Sequence, residues 1–249
     1  MGSQARDVVL LHGWGLNAGV WNEFAARLAP RFRVHPLDLP GYGGTPACAP
    51  YTLPMLADAV ARAAPPRCCA IGWSLGGQVA LHWAASAPQQ VERVALLATT
   101  PCFVRRPDWA HGLEPGVLAG FAQELKTDCG GTLRRFLLLQ AQGDARAKQV
   151  ARRLRIALAA RARPGTEVLE EGLEILLSAD LRGCLRSVAQ RVLVLHGDHD
   201  TLAPLAAGEY LGRELPDARV AVLRGAAHAL FVSAPDKVCR LLTDFLDER

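Results

Sequence analysis

The chain's 249 residues, half of them apolar, suffice for one substantial α/β domain with an insertion. Nothing approaches the run of roughly 18 apolar residues that spans a membrane, and Met1–Arg6 has neither the basic nor the apolar region of a secretory leader, so a cytoplasmic location is expected. The net charge of +4 needs no explanation beyond solubility, and seven scattered cysteines without C-x-x-C spacing give neither a disulfide framework nor a thiolate metal site.

Along the chain, short β-branched or Leu-rich runs alternate with helically spaced segments, the pattern of a doubly wound, mostly parallel sheet with helices on both faces. The first predicted strand, Val8–Leu11, runs into His12-Gly13-Trp14-Gly15, whose backbone can turn an N–H toward an ester oxygen. Trp14 also admits a plainer reading as a core aromatic. A helix over Val20–Leu28, a strand over Phe32–Leu37 and a helix over Leu53–Ala63 follow. The third strand, Cys68–Gly72, is wholly apolar, and Cys68 and Cys69 read as small buried hydrophobes without a catalytic role.

That strand leads directly into Gly72-Trp73-Ser74-Leu75-Gly76, and Leu75–Ala85 has helical spacing. A G-x-S-x-G turn between a strand and a helix is the nucleophile elbow of the α/β-hydrolase fold. The turn has no room for side chains two residues before and two after the serine, hence both glycines. Ser74 is the candidate nucleophile, and the backbone N–H groups of Trp14 and Leu75 form the candidate oxyanion hole. Dehalogenases of this fold need aspartate where Ser74 stands, so that chemistry is excluded.

A fourth strand is predicted at Val94–Thr99, and there the alternation breaks. From Cys102 to Gly183 the spacing is helical, without a convincing strand, so about eighty residues are inserted before the fifth strand. The expected organisation is a core of residues 1–101 and 184–249 with a helical cap at 102–183. Within it, Phe136-Leu137-Leu138-Leu139-Gln140 has the apolar character of a lid's underside, although core packing explains it equally well. Between Lys126 and Arg163 ten basic residues face two acidic ones. If Asp144–Arg161 is one helix, Lys148, Arg152 and Arg155 share a face and Val150, Leu154 and Leu158 the opposite one. Such a stripe is either a solvated face or the dock for an acidic partner.

The fifth strand, Arg191–His196, leads into Gly197-Asp198-His199-Asp200. The third member of a triad belongs here: Asp200 has the favoured spacing from Gly197 to Pro204, with Asp198 as the alternative. After a helix over Leu205–Leu215 and a strand over Arg219–Leu223 comes Gly225-Ala226-Ala227-His228, and the chain order Ser, Asp, His makes His228 the candidate base. His196 is its one serious rival. A helix over Asp236–Phe245 closes the chain. No phosphate loop, H-E-x-x-H or Cys/His cluster is present, so no cofactor or metal is expected.

Taken together, Leu10-Leu11-His12-Gly13-Trp14-Gly15-Leu16-Asn17-Ala18, Asp38-Leu39-Pro40-Gly41-Tyr42-Gly43, Gly72-Trp73-Ser74-Leu75-Gly76-Gly77, Pro101-Cys102-Phe103, Gly172-Leu173-Glu174-Ile175-Leu176 and Ala226-Ala227-His228-Ala229 resemble the BioH-type pimeloyl-[acyl-carrier protein] methyl ester carboxylesterases of biotin synthesis. The resemblance spans nearly the whole chain. It implies hydrolysis of the methyl ester on a carrier-bound pimeloyl chain. Substrate contacts would fall on Trp14, Ser74, Leu75, Phe136, Leu137, Leu138, Leu139, Gln140 and His228. Contacts with the acyl carrier protein would fall on Arg135, Lys148 and Arg152, to which Arg155 is added from its helical face. One family arginine is replaced by Gly131. Only seven residues precede the first strand, and six strands are counted where the fold commonly has eight; the sheet is expected to be trimmed at one edge, or the start of the chain to be shortened. The expected enzyme is a monomer with no nucleic-acid or membrane partner. The competing readings are a general short-chain carboxylesterase and a ligand-binding protein without turnover.

Overall fold

The computed structural model describes residues 5–248, and every count below refers to them. Met1–Gln4, part of the segment read for a leader, lie outside. Six strands form one sheet in the order β2-β1-β3-β4-β5-β6: Asp7–Leu11 (β1), Arg33–Leu37 (β2), Cys68–Trp73 (β3), Val91–Leu97 (β4), Arg191–Gly197 (β5) and Ala218–Leu223 (β6). All five pairings are parallel, and no antiparallel pair precedes β1 among the described residues. The central strands β3, β4 and β5 are buried almost throughout, as a sheet covered on both faces requires.

Six helices fill the crossovers and the C-terminal end: Asn22–Leu28 (α1), Leu53–Ala63 (α2), Leu75–Ser86 (α3), Leu205–Glu214 (α8), Leu230–Ser233 (α9) and Pro235–Asp247 (α10). The chain leaves β1 toward β2 on one side and returns past it to β3 on the other. Right-handed crossovers then place α1 and α2 on opposite faces; α1 packs with α10 and α2 with α3. This reversal opens a crevice at the carboxyl ends of β1 and β3, where such sheets bind ligands. The His12 loop and the Ser74 elbow both open into it.

Four helices lie between β4 and β5: Pro115–Leu125 (α4), Cys129–Ala141 (α5), Ala147–Ala159 (α6) and Thr166–Ser178 (α7). Two isolated bridges, Val104 with Leu113 and Arg106 with Trp109, precede them. Among the described residues no helix is long and apolar enough to cross a membrane.

Most boundaries shift by one or two residues from expectation, and three of the differences have a visible cause. The strand expected at Val94–Thr99 is Val91–Leu97, because Ala98 takes φ +45° and ends it. Arg93, within the strand, is 7% exposed and lays its guanidinium over the Phe245 ring. The helix expected at Val20–Leu28 divides into a 3₁₀ turn, Ala18–Trp21, capped by the Asn17 side chain, and α1. The helix expected at Asp144–Arg161 is Ala147–Ala159; Gly143 turns with φ +85° and the Asp144 carboxylate accepts backbone N–H groups instead of entering the helix.

The amphipathic division of α6 holds: Val150, Leu154 and Leu158 are buried, whereas Ile156 is 58% exposed. Leu154→Ala should cost about 2–5 kcal/mol of unfolding free energy by opening a core cavity. Ile156→Ala should change stability by no more than about 0.5 kcal/mol. Urea denaturation of both variants tests which face of α6 carries the packing.

Candidate active site

Ser74 sits between β3 and α3 with φ +57° and ψ −120°, a conformation that costs a side-chain-bearing residue energy and must be imposed by its surroundings. The surroundings are specific. Ser74 N–H donates to the Leu97 carbonyl at the end of β4 (3.0 Å), while its own carbonyl accepts from Gly77 N–H (2.9 Å) and the Thr99 hydroxyl (2.6 Å). A side chain at Gly72 would meet the Gly76 carbonyl oxygen at 2.3 Å, and one at Gly76 would meet the carbonyl oxygens of Leu11 and His12 at 2.4 and 2.6 Å. Both glycines of the elbow are therefore demanded by close approach, and the second packs the turn against the end of β1.

His228 follows β6 in a loop whose backbone is tied to the elbow: Trp73 Nε1–H donates to the His228 carbonyl (3.0 Å), and the two rings lie 5.6 Å apart. His228 Nδ1 pairs with Asp200, 2.9 Å from Oδ2 and 3.1 Å from Oδ1. Asp200 is held in turn by the N–H groups of Leu202 (2.9 Å) and Ala203 (3.0 Å). Asp198 instead accepts from Gly225 N–H (2.7 Å) and closes the neighbouring turn. Of the two aspartates, Asp200 is the one beside the imidazole. The rival base His196 is fully buried, and neither of its ring nitrogens has a partner among the described residues.

Of the two residues expected to form the oxyanion hole, Trp14 lies in the loop after β1 and Leu75 directly follows Ser74. Leu75 is the first residue of α3, where an N–H lacks a partner within the helix, and among the described residues no backbone carbonyl accepts from either N–H. The Trp14 indole is fixed from above: Nε1–H donates to the Leu169 carbonyl in α7 (2.9 Å), and the ring meets Phe136 of α5 edge-on at 4.7 Å. The site is covered, with Ser74 5% and His228 2% exposed.

The run Phe136–Gln140 does not act as a unit. A helix turns 100° per residue, so Phe136, Leu137 and Gln140 face inward and are buried, Leu139 is half-buried, and Leu138 points outward at 62% exposure. Leu138 and Leu137 line an outer groove of about 310 Å³ together with Lys148, Arg152, Arg155 and Arg134. Arg135 is not among its lining residues; it pairs with Glu124 on α4. Arg134 does line the groove, and its i, i+4 spacing to Leu138 on α5 was the signal available for it in the sequence.

The seven cysteines are not bonded to one another, and burial pushes the Cys68 and Cys69 thiols up to about 12, so neither offers a thiolate. His12 receives the Leu39 N–H on Nε2 (3.0 Å), which leaves Nδ1 to donate to the Gly13 carbonyl (2.8 Å). Its role is to shape the loop that presents Trp14.

The sequence pattern of the alpha/beta hydrolase family matches residues 8–241. The pimeloyl-[acyl-carrier protein] methyl ester esterase of Pectobacterium atrosepticum is 45% identical over 235 residues, covering 94% of this chain and 92% of that protein. Its namesake from Nitrosomonas europaea is 41% identical over 231 residues, covering 93% and 92%. Among solved structures, an esterase from Exiguobacterium antarcticum superposes with a TM-score of 0.88 at 21% identity, covering 100% of this chain and 94% of that one. The enol-lactonase of Burkholderia xenovorans LB400 reaches 0.85 at 26%, covering 99% and 93%.

Two predictions follow from this geometry. Asp200→Asn should lower kcat by roughly three to four orders of magnitude because the imidazole loses its tautomer and its counter-charge, whereas Asp198→Asn should leave most of the turnover. Ester hydrolysis by the two purified variants decides between the aspartates. Separately, burial holds His12 and His196 down at about 4, below the ordinary 6.5. Both are neutral in the folded protein but protonate in the unfolded chain as the pH falls through 6.5. Their contribution to stability is complete above that pH and is lost progressively down to about 4, at up to about 1.4 kcal/mol per pH unit for each histidine. Urea titrations from pH 8 to 5 should show unfolding taking up more than one proton between pH 6 and 5; a smaller uptake contradicts the assignment.

Proposed function

From the premise that the chain belongs to the alpha/beta hydrolase family, and within it to the pimeloyl-[acyl-carrier protein] methyl ester esterases, we propose that it hydrolyses the methyl ester of pimeloyl-[acyl-carrier protein] in biotin biosynthesis, releasing methanol and the carrier-bound acid. It is a carboxylic ester hydrolase. The observation that carries the reading is the buried His228–Asp200 pair set against a strained serine elbow.

In this mechanism Ser74 Oγ attacks the ester carbonyl while His228 takes its proton, with Asp200 holding the ring and stabilising the imidazolium. The oxyanion is met by the N–H groups of Trp14 and Leu75. His228 returns the proton to the departing methoxide oxygen and then activates the water that frees the acid from Ser74. Residues 102–183 act as the cap, with Phe136 and Gln140 on its inner side and Trp14 of the core toward the acyl chain. Because Ser74 is covered, substrate reaches it only when these helices part.

The partner is an acyl carrier protein, recognised through its acidic surface by the groove between α5 and α6, where Arg134, Lys148, Arg152 and Arg155 surround Leu137 and Leu138. The enzyme works as a monomer in the cytoplasm and requires neither nucleic acid nor membrane. Methanol release from pimeloyl-carrier methyl ester tests the activity directly, and Ser74→Ala should abolish it. Reversing Arg134, Lys148 and Arg152 to glutamate should lower kcat/KM for the carrier-linked ester by about tenfold or more and leave a small ester within about twofold. Equal losses on both substrates would show a general esterase instead.

A further inference from the structure

The connection between α5 and α6, residues 142–146, touches both loops that carry the acid–base pair. Its Gly143 carbonyl accepts from His199 Nδ1 (2.7 Å), the residue before Asp200. Its Ala145 N–H donates to the Gly225 carbonyl (3.1 Å) in the His228 loop. Between them, Asp144 Oδ2 accepts from the N–H of Ala227 (3.1 Å), the residue before His228, while Oδ1 accepts from Arg146 N–H (2.7 Å). Asp144 is 7% exposed and Ala227 1%, so this contact is shielded from water.

The histidine loop is held through its backbone: Trp73 Nε1–H donates to the His228 carbonyl, Gly225 N–H donates to Asp198, and the Asp144 carboxylate takes the N–H of the residue just before the imidazole. Its buried Ala227 N–H would be left unpaired without the Asp144 carboxylate, and a bond from N–H to an ionised acceptor is about twice as strong as a neutral one. Asp144 thus does for the His228 loop what the N–H groups of Leu202 and Ala203 do for Asp200.

We propose that Asp144 is a positioning residue for the reaction: acting through the Ala227 N–H, it holds the loop that aims His228 at Ser74. The proposal rests on the reading of Ser74, Asp200 and His228 as the triad. The same connection joins α5 and α6, the two helices that flank the basic groove.

The test compares Asp144→Ala and Asp144→Asn with the parent on p-nitrophenyl acetate and on pimeloyl-carrier methyl ester. Misplacing the base should lower kcat on both esters by about ten- to a hundredfold, with KM for the small ester unchanged. Asn keeps the volume and one acceptor oxygen, so its kcat should fall between those of the parent and Ala. Leu154→Ala, which weakens the packing of α6 away from this joint, serves as the control for general loosening. A parental kcat in Asp144→Ala overturns the proposal. So does an equal kcat loss in Leu154→Ala at matched loss of Tm, or an Asn variant as impaired as Ala. Should Asp144→Ala fail to fold, Asp144→Asn carries the test alone: its kcat must fall with KM unchanged, and a parental value overturns the proposal. Ser74→Ala keeps the two readings apart. Hydrolysis surviving in that variant removes the triad itself, whereas hydrolysis abolished there together with a parental Asp144→Ala removes only the role of Asp144.

Discussion

The backbone of Ser74 is the constraint around which the rest is arranged. A residue with a side chain at φ +57° and ψ −120° is stable only if its neighbours over-determine it. Two strand ends and a residue beyond one of them do so. The end of β1 presses against Gly76, the end of β4 receives the Ser74 N–H, and Thr99 beyond β4 donates to the Ser74 carbonyl. Strand order makes this possible, because β3 lies between β1 and β4 and all run in parallel. The hydroxyl is thereby held at the crevice where the sheet reverses its winding, facing the loop of Trp14. Fold and candidate chemistry share one origin: the tight turn excludes side chains, and that exclusion exposes the serine.

Features whose cause is local were legible in the sequence. The elbow, the strand before it and the helix after it depend on residues within a few positions of one another, and the apolar runs at Val8–Leu11 and Cys68–Gly72 report burial directly. The order of Ser74, Asp200 and His228 followed from the same sheet logic, and the spacing around Asp200 favoured the aspartate found beside the imidazole. What failed depended on distant partners. The expected strand began only at Val94, whereas β4 includes Arg93, whose guanidinium meets Phe245 and the Glu248 carbonyl more than 150 positions away. Asp144 looked like the start of a helix because its acceptor role involves Ala227. The five-residue run at Phe136 looked uniform because composition does not distinguish the two sides of a helix. Gly172 was noticed as part of a pattern, and its physical reason is remote: a side chain there would stand 2.7 Å from the Trp14 indole.

The inserted helices have two distinct faces. Inward, Leu169, Phe136 and Gly172 fix the indole of Trp14, the residue whose backbone is proposed to meet the oxyanion, so the insert shapes the site as well as covering it. Outward, Leu137 and Leu138 lie in a groove bordered by cations. An apolar floor with a charged rim suits a partner that is first attracted by charge and then held by burial.

The excess of positive charge in the insert therefore has two explanations, each applying to different residues. Arg135 pairs with Glu124, Arg146 donates to the Ser233 carbonyl, Arg153 reaches both Glu23 and the Val232 carbonyl, and Arg161 pairs with Asp38, which also accepts the Ala18 N–H. The last three bind the insert to the core around α1, α9 and the end of β2. Among the described residues, by contrast, Arg134, Lys148, Arg152 and Arg155 form no ion pair, although they crowd around one groove. Four like charges brought together without internal compensation repel one another, and the docking proposed above would relieve that repulsion. A charge count over the sequence sums these two populations. Only their partners separate the arginines that hold the insert in place from the cations that form no ion pair among the described residues.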